Sequence, residues 1–294
     1  MSLDLWVEFF EDLQHVRGRS RNTVLAYRRD LELFAKFSET KKNVTEFYEF
    51  LGKNKLSPRS QARVISSLRT YFKFCESRGK AVPDLKQLTP PRVQVGLPKA
   101  LTNEEFEKLL VACETNQAHR TARNRICLYL LFGVGCRVSE LIAVDLKDFN
   151  ETEGWLCLLG KGGKQRIVPL TEKLVTELRA YIKDFRAKLS DDGVTSILLN
   201  DKGHRPSRVD IWRWLAAWSL RAGFDKPISP HKFRHGCATA LLDAGADLRS
   251  IQMLLGHSSI QSTQIYTNVT SRNITSAIDE HHPMSRIKNP RENQ

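Results

Sequence analysis

In the run SPHKFRHG, His231 and Arg234 stand three residues apart. Residues at that spacing share a face of a helix, so an imidazole and a guanidinium can grip one anion together, although the pattern also arises often without function. Arg137, in GVGCRVSEL, offers either another guanidinium for an anion or a surface ion pair with Glu140. Lys161 lies in the turn GKGGK, where a lysine is commonly just a solvated tip. His257 follows Gly256 and suits a helix end, while Tyr266, in QIYTNV, is by type either a nucleophile or an ordinary core or rim tyrosine. His235 lies off the His231–Arg234 face and reads as structural. Singly, none of these residues defines a reaction.

Each depends on an element to aim it. Ser229-Pro230 is a cap followed by a proline at the first helical position, and the helix it opens runs to near Gly245 with His231 and Arg234 in its first turns. WLCLLGKGGKQRIVPL is two apolar runs about a Gly- and Lys-rich turn, a β-hairpin with Lys161 in its turn. Short helices over 247–255 and about 260–266 lead to Tyr266. Upstream, Thr102 and Glu105 fit a capping box that opens a new domain. Helical patterns continue over 104–112, 123–132, 170–189 and 208–221.

The first eighty or so residues read as a separate helical unit. Ser20 caps a helix to about Phe37, and Ser57-Pro58 starts another to Cys75, with Gly79 just beyond its end. On that helix Arg59, Arg63, Arg69 and Lys73 fall within an arc of roughly 120°. Val64, Ile65, Leu68, Tyr71 and Phe72 fall opposite. One face suits a core; the other suits phosphates or simply water. Pro83, Pro90, Pro91 and Pro98 punctuate a stretch with little periodicity. The expected organisation is a helical domain over 1–82, a linker over 83–100 and a second domain over 101–294.

Composition narrows the partners. Across 294 residues, 46 Lys and Arg outnumber 33 Asp and Glu, a net charge of +13 that favours a polyanionic partner, with a basic protein that is merely soluble as the alternative. The six cysteines are scattered, with neither a C-x-x-C pair nor a metal-like cluster with histidine, so reduced buried thiols are expected and no metal or cofactor. Acids stand in MSLDLWVEFFEDL where an export signal needs positive charge, and no apolar run reaches membrane-spanning length. The expectation is a cytoplasmic protein with no membrane partner.

In order and local context, the six residues Arg137, Lys161, His231, Arg234, His257 and Tyr266 resemble the tyrosine recombinase (phage integrase) family, and within it the Xer type. The carrying segments are GVGCRVSELIAVDLKDF, LLGKGGKQRIVPL and SPHKFRHGCATALLDAGADLRSIQMLLGHSSIQSTQIYTNV, and the resemblance spans about residues 3–284. Departures are small: Cys136 replaces a usually apolar residue, and Asn268 stands where histidine is common. The implied fold is mainly α with a small β-sheet. A helical SAM-like core-binding domain and a mixed α+β catalytic domain clamp duplex DNA, with the Arg59, Arg63, Arg69 and Lys73 face toward it.

The resemblance also implies roles. Arg137 and Arg234 would neutralise the scissile phosphate, each through paired hydrogen bonds to non-bridging oxygens. Tyr266 would be the nucleophile and form a 3′-phosphotyrosyl bond, which stores the bond energy so that rejoining needs neither ATP nor a metal. Lys161 would protonate the leaving 5′-oxygen, His231 would assist as acid or base, and His257 would hydrogen-bond a phosphate oxygen. Glu140 would orient Arg137. Assembly would be a tetramer on two double-stranded DNA sites, either four copies of one chain or a heterotetramer with a sister recombinase, with a tail helix over about 271–278 docking into a neighbour. A cell-division DNA translocase is a further implied partner. The expected role is resolution of chromosome or plasmid dimers, with integration or resolution for a phage, transposon or integron as the alternative. A DNA-binding protein that has lost catalysis is disfavoured by retention of all six residues, and a type IB topoisomerase would lack four-protomer assembly.

Overall fold

In the computed structural model the described residues are 3–38, 44–83, 89–90, 100–160, 163–188 and 193–256. The chain divides into two compact units, Met1–Leu97 and Pro98–Gln294.

The first unit is built from four α-helices among its described residues: α1 (Leu3–Glu11), α2 (Arg21–Ser38), α3 (Val44–Lys53) and α4 (Pro58–Ser77). The cap signals act as expected. Ser20 Oγ accepts from Thr23 N at 3.3 Å, and Ser57 Oγ accepts from Ser60 N at 3.2 Å with Pro58 opening the helix. The core is aromatic. The Phe9 ring meets Tyr71 edge-on at 5.1 Å and Phe74 at 5.4 Å, while Phe34 meets Phe47 at 5.1 Å. Val64, Ile65, Leu68, Tyr71 and Phe72 are all buried, which fixes the opposite face of α4 toward solvent. Asp30 and Ser67 are buried at the edge of that face.

The second unit wraps helices around α6 (Ala118–Phe132), in which every residue from Ile126 to Phe132 is buried. A helix apolar all round must sit at a centre. It begins five residues earlier than the apolar pattern suggests. The cause is that polar residues of its first half are buried with partners: Arg123 donates to Asp201 at 2.6 Å and lies over the Trp214 ring, and Asn124 donates to Cys113 O at 2.7 Å. Before α6, α5 (Asn103–Ala112) carries the Thr102–Glu105 capping box. After it, α7 (Val138–Ala143) is too short to show a sequence period.

Next in the chain is a three-stranded antiparallel sheet, in the order β1 (Phe149–Asn150), β2 (Trp155–Leu159) and β3 (Gln165–Pro169). The β2–β3 hairpin is the expected one, in a register that pairs Leu156 with Val168 and Leu158 with Arg166. The expected helix over 170–189 is broken: α8 (Glu172–Ala180) passes into a π turn, Tyr181–Phe185, and a 3₁₀ turn, Arg186–Lys188. A π turn inserts a residue and so rotates the helix face beyond it. Tyr181 and Arg186 are buried there, and Arg186 Nε donates to Ser196 O at 2.7 Å. The described chain ends with α9 (Arg208–Arg221), α10 (Pro230–Asp243) and α11 (Leu248–Leu255). On α10, Gly236 faces α6 so closely that a Cβ there would lie 2.8 Å from the Phe132 ring and 2.7 Å from Leu101 O. Gly256 ends α11 in the left-handed conformation. The expected helices over 260–266 and 271–278 lie outside the described residues.

Candidate active site

Arg137 stands between a tight turn and α7. Gly135, at φ +63°, makes that turn; a side chain there would lie 2.5 Å from Leu255 and strain the backbone. Glu140 reaches back from α7: its Oε2 accepts from Arg137 N and its Oε1 from Arg137 Nη1, both at 2.8 Å. The sequence offered two readings of Arg137, a phosphate ligand or a partner of Glu140. The ion pair is present, and it is no surface pair, because the Glu140 side chain is 1% exposed.

Arg234 arrives from the second turn of α10. Its Nη1 donates to Gly135 O at 2.7 Å, and its Nη2 donates to Leu255 O. Burial, and then the charges of Arg137 and Arg166, push its pKa down to about 10. It is still a cation at neutral pH, held where positive charge is in excess. The His231 side chain is exposed on the first turn of the same helix, and His235 is exposed too.

A third guanidinium completes the cluster, and it escaped the sequence reading. Arg166 on β3 donates Nη1 and Nη2 to Glu140 Oε1 and Oε2 at 2.7 and 2.8 Å, and Nε to Leu254 O at 2.8 Å. A signal for it existed. Alternation along QRIVP puts residue 166 on the same side of the strand as the buried Val168, so a charged side chain points toward the core. Burial raises the Glu140 pKa, but the two arginines outweigh burial and hold the carboxyl below its ordinary value.

The three guanidiniums meet one carboxylate and one helix end. The last carbonyls of α11 have no intrahelical donors and carry the negative end of the helix dipole. Leu254 O accepts from Arg166, Leu255 O from Arg234 and Gly256 O from Arg137, the last at 3.3 Å. Among the described residues, three cations against one carboxylate leave the pocket positive by two charges. Such a pocket holds an anion with several directed donors. Beneath it, burial pushes the Cys136 and Cys237 thiols up to about 12 against the pull of the arginines, so both are neutral.

The structure therefore brings Arg137, Arg234 and Glu140 together. Lys161, His257 and Tyr266 lie outside the described residues, as does everything after Gly256; of the hairpin, only residues 161–162 are outside. Their described flanks are the hairpin base, where Gly160 N donates to Lys164 O at 2.7 Å, and the end of α11 at Gly256. In the first unit, Arg59, Arg63 and Lys73 are exposed and Arg69 is half-buried. Arg63 is more than a solvated cation: it pairs with buried Asp30, which also accepts from Ser67 Oγ at 2.7 Å.

Residues 99–273 match the phage integrase family, and residues 7–79 match the N-terminal SAM-like domain of phage integrases. The tyrosine recombinase XerD of Listeria monocytogenes is 36% identical over 95% of this chain and 99% of its own. That of Pseudomonas putida is 35% identical over 94% and 96%. Among solved structures, XerH recombinase bound to a palindromic difH substrate superposes with a TM-score of 0.66 at 23% identity, covering 90% of this chain and 81% of that one. A lambda integrase dimer bound to a COC′ core site also gives 0.66, at 18% identity, over 90% and 100%. The chain belongs to the phage integrase family. It is a tyrosine site-specific recombinase, an enzyme that cuts and rejoins DNA through a covalent bond to a tyrosine.

Proposed function

We propose that this recombinase resolves chromosome or plasmid dimers, with Arg137 and Arg234 as the grip on the scissile phosphate and Tyr266 as the nucleophile. The observation that carries the reading is the meeting of both arginines at the end of α11, the helix from which the chain sets out toward His257 and Tyr266. In cleavage, the Tyr266 phenol oxygen bonds to phosphorus and the 5′-oxygen departs. Lys161 supplies the proton that the departing oxygen needs, and His231 handles the phenolic proton. His257 adds a hydrogen bond to a phosphate oxygen. The guanidiniums stabilise the added charge of the pentavalent transition state from fixed positions. Rejoining is the same path reversed. Arg59, Arg63, Arg69 and Lys73 supply phosphate contacts from the first unit, which a basic face of α4 supports.

Four protomers act on two sites. A solved lambda integrase tetramer bound to a Holliday junction, similar in fold, supports that assembly, and the XerD relatives support the dimer-resolution role. A nicked suicide substrate, which traps the covalent adduct by losing the rejoining strand, tests the chemistry. The wild type is expected to yield a protein–DNA band stable to denaturant and Tyr266→Phe none. An adduct that survives Tyr266→Phe rules out this nucleophile.

A further inference from the structure

We propose that Arg166 is a positioning residue for the recombination reaction: it fixes the carboxylate that aims Arg137 and ties the Lys161 hairpin to the end of α11. The inference rests on the reading of Arg137 as a phosphate ligand. Its basis is the division of labour among the three guanidiniums. The Arg137 side chain is 38% exposed, whereas those of Arg166 and Glu140 are 10% and 1% exposed. Arg137 can meet an incoming phosphate from an open side, while Arg166 is committed to protein. Each Glu140 oxygen accepts twice, once from Arg137 and once from Arg166. With four donors on its two oxygens, Glu140 is held in one orientation, and the Arg137 fork with it.

The third donor extends the role beyond Glu140. Arg166 Nε is bonded to Leu254 O, so one planar group spans β3, α7 and α11. The strand carrying it is the return strand of the hairpin whose turn contains Lys161. Its stem passes close to the α11 terminus: a Cβ on Gly256 would lie 3.1 Å from Arg166 Cδ, at a φ of +65° that already favours glycine. A lysine cannot copy this arrangement, because its compact ammonium lacks a rigid fork and a separate Nε donor.

Arg166→Lys and Arg166→Gln, compared with the wild type on the suicide substrate, test the proposal. Binding to the intact site should stay within about twofold, while the covalent capture rate falls roughly ten- to a hundredfold. The capture rate of Arg166→Gln should begin its decline toward acid pH at a higher pH than that of the wild type, and Arg166→Lys, which keeps a cation, should lie between them, because Glu140 without its main partner takes up a proton more readily and releases Arg137. Added to Glu140→Gln, Arg166→Lys should cost no more than about twofold further, since the two act as one unit. Should Arg166→Gln fail to fold, Arg166→Lys carries the same comparison. Capture at the wild-type rate overturns the proposal. So does a loss with an unchanged pH profile that multiplies fully with Glu140→Gln, the behaviour of a merely structural arginine. A wild type that captures no DNA would instead remove the reading of the phosphate site.

Discussion

Arg234 carries the clearest consequence at the scale of single residues. Its pKa is depressed to about 10, so keeping it charged while buried, and beside Arg137 and Arg166, costs stability at neutral pH. The sign is that of a cation disfavoured by folding: the cost is present below its folded pKa and is lifted as pH rises past about 10 and the proton leaves. A bound oxyanion lifts the same cost without removing the proton. Sulfate or phosphate should therefore raise the thermal midpoint above that in chloride of equal ionic strength. A hundredfold excess over Kd is worth about 2.7 kcal/mol. The increment should fade as pH rises through about 10, and equal midpoints in the two salts at neutral pH would contradict an anion site. Arg137 and Arg234 were legible in the sequence because they stand in recognisable motifs. Arg166 was not, because a lone arginine in an alternating strand looks like a surface residue until the register shows which side faces inward.

Among the elements, α10 has the narrowest tolerance, since it carries His231 and Arg234 and packs on α6 through Gly236. Gly236→Ala puts a methyl 2.7 Å from Leu101 O, so the helix must move away. The better helix propensity of alanine, worth about 1 kcal/mol, is outweighed by overpacking of roughly 1–3 kcal/mol. The expected result in urea unfolding is a lower midpoint for Gly236→Ala. Gly52→Ala, at a helical glycine with open space around it, should be neutral or stabilising. A stabilised Gly236→Ala would refute the tight contact. Elements with clear start signals were visible in the sequence: α4 and α5 from Ser57 and Thr102, whose side chains cap their helices, and α10 from Ser229-Pro230, where the proline opens the helix without a side-chain cap bond from Ser229. The start of α6 and the break after α8 were not. Tertiary partners bury Arg123, Asn124, Arg125 and Arg186 there, and local pattern treats such residues as solvent-facing.

For the whole molecule the governing quantity is the net charge of +13. DNA binding should weaken linearly in log–log salt titrations, with a slope of about −0.9 per phosphate neutralised. Arg59→Ala and Lys73→Ala should each reduce that slope by about 1 across unrelated sequences. Arg63→Ala should also lower the unfolding midpoint, because it strips buried Asp30 of its cation. A slope unchanged by the first two substitutions would remove α4 from the DNA interface. The helical first unit and the mixed second unit were legible as a whole, because cap signals, the proline-punctuated stretch and the hairpin pattern agree with one another. The linker and tail expectations fall largely on residues outside the described set.

The α11 terminus has a last consequence, in the reach of the chain. Its three final carbonyls are held by the pocket's own arginines, so everything after Gly256 sets out from the rim of that pocket. Tyr266 comes ten residues later, and an extended chain covers at most about 3.5 Å per residue. Whatever path those residues take, the Cα that bears the phenol is leashed within a radius of about 35 Å of its own anion site. The phenol is thereby present at high effective concentration. Another subunit's phosphate can compete for it only when assembly brings that phosphate inside the same sphere.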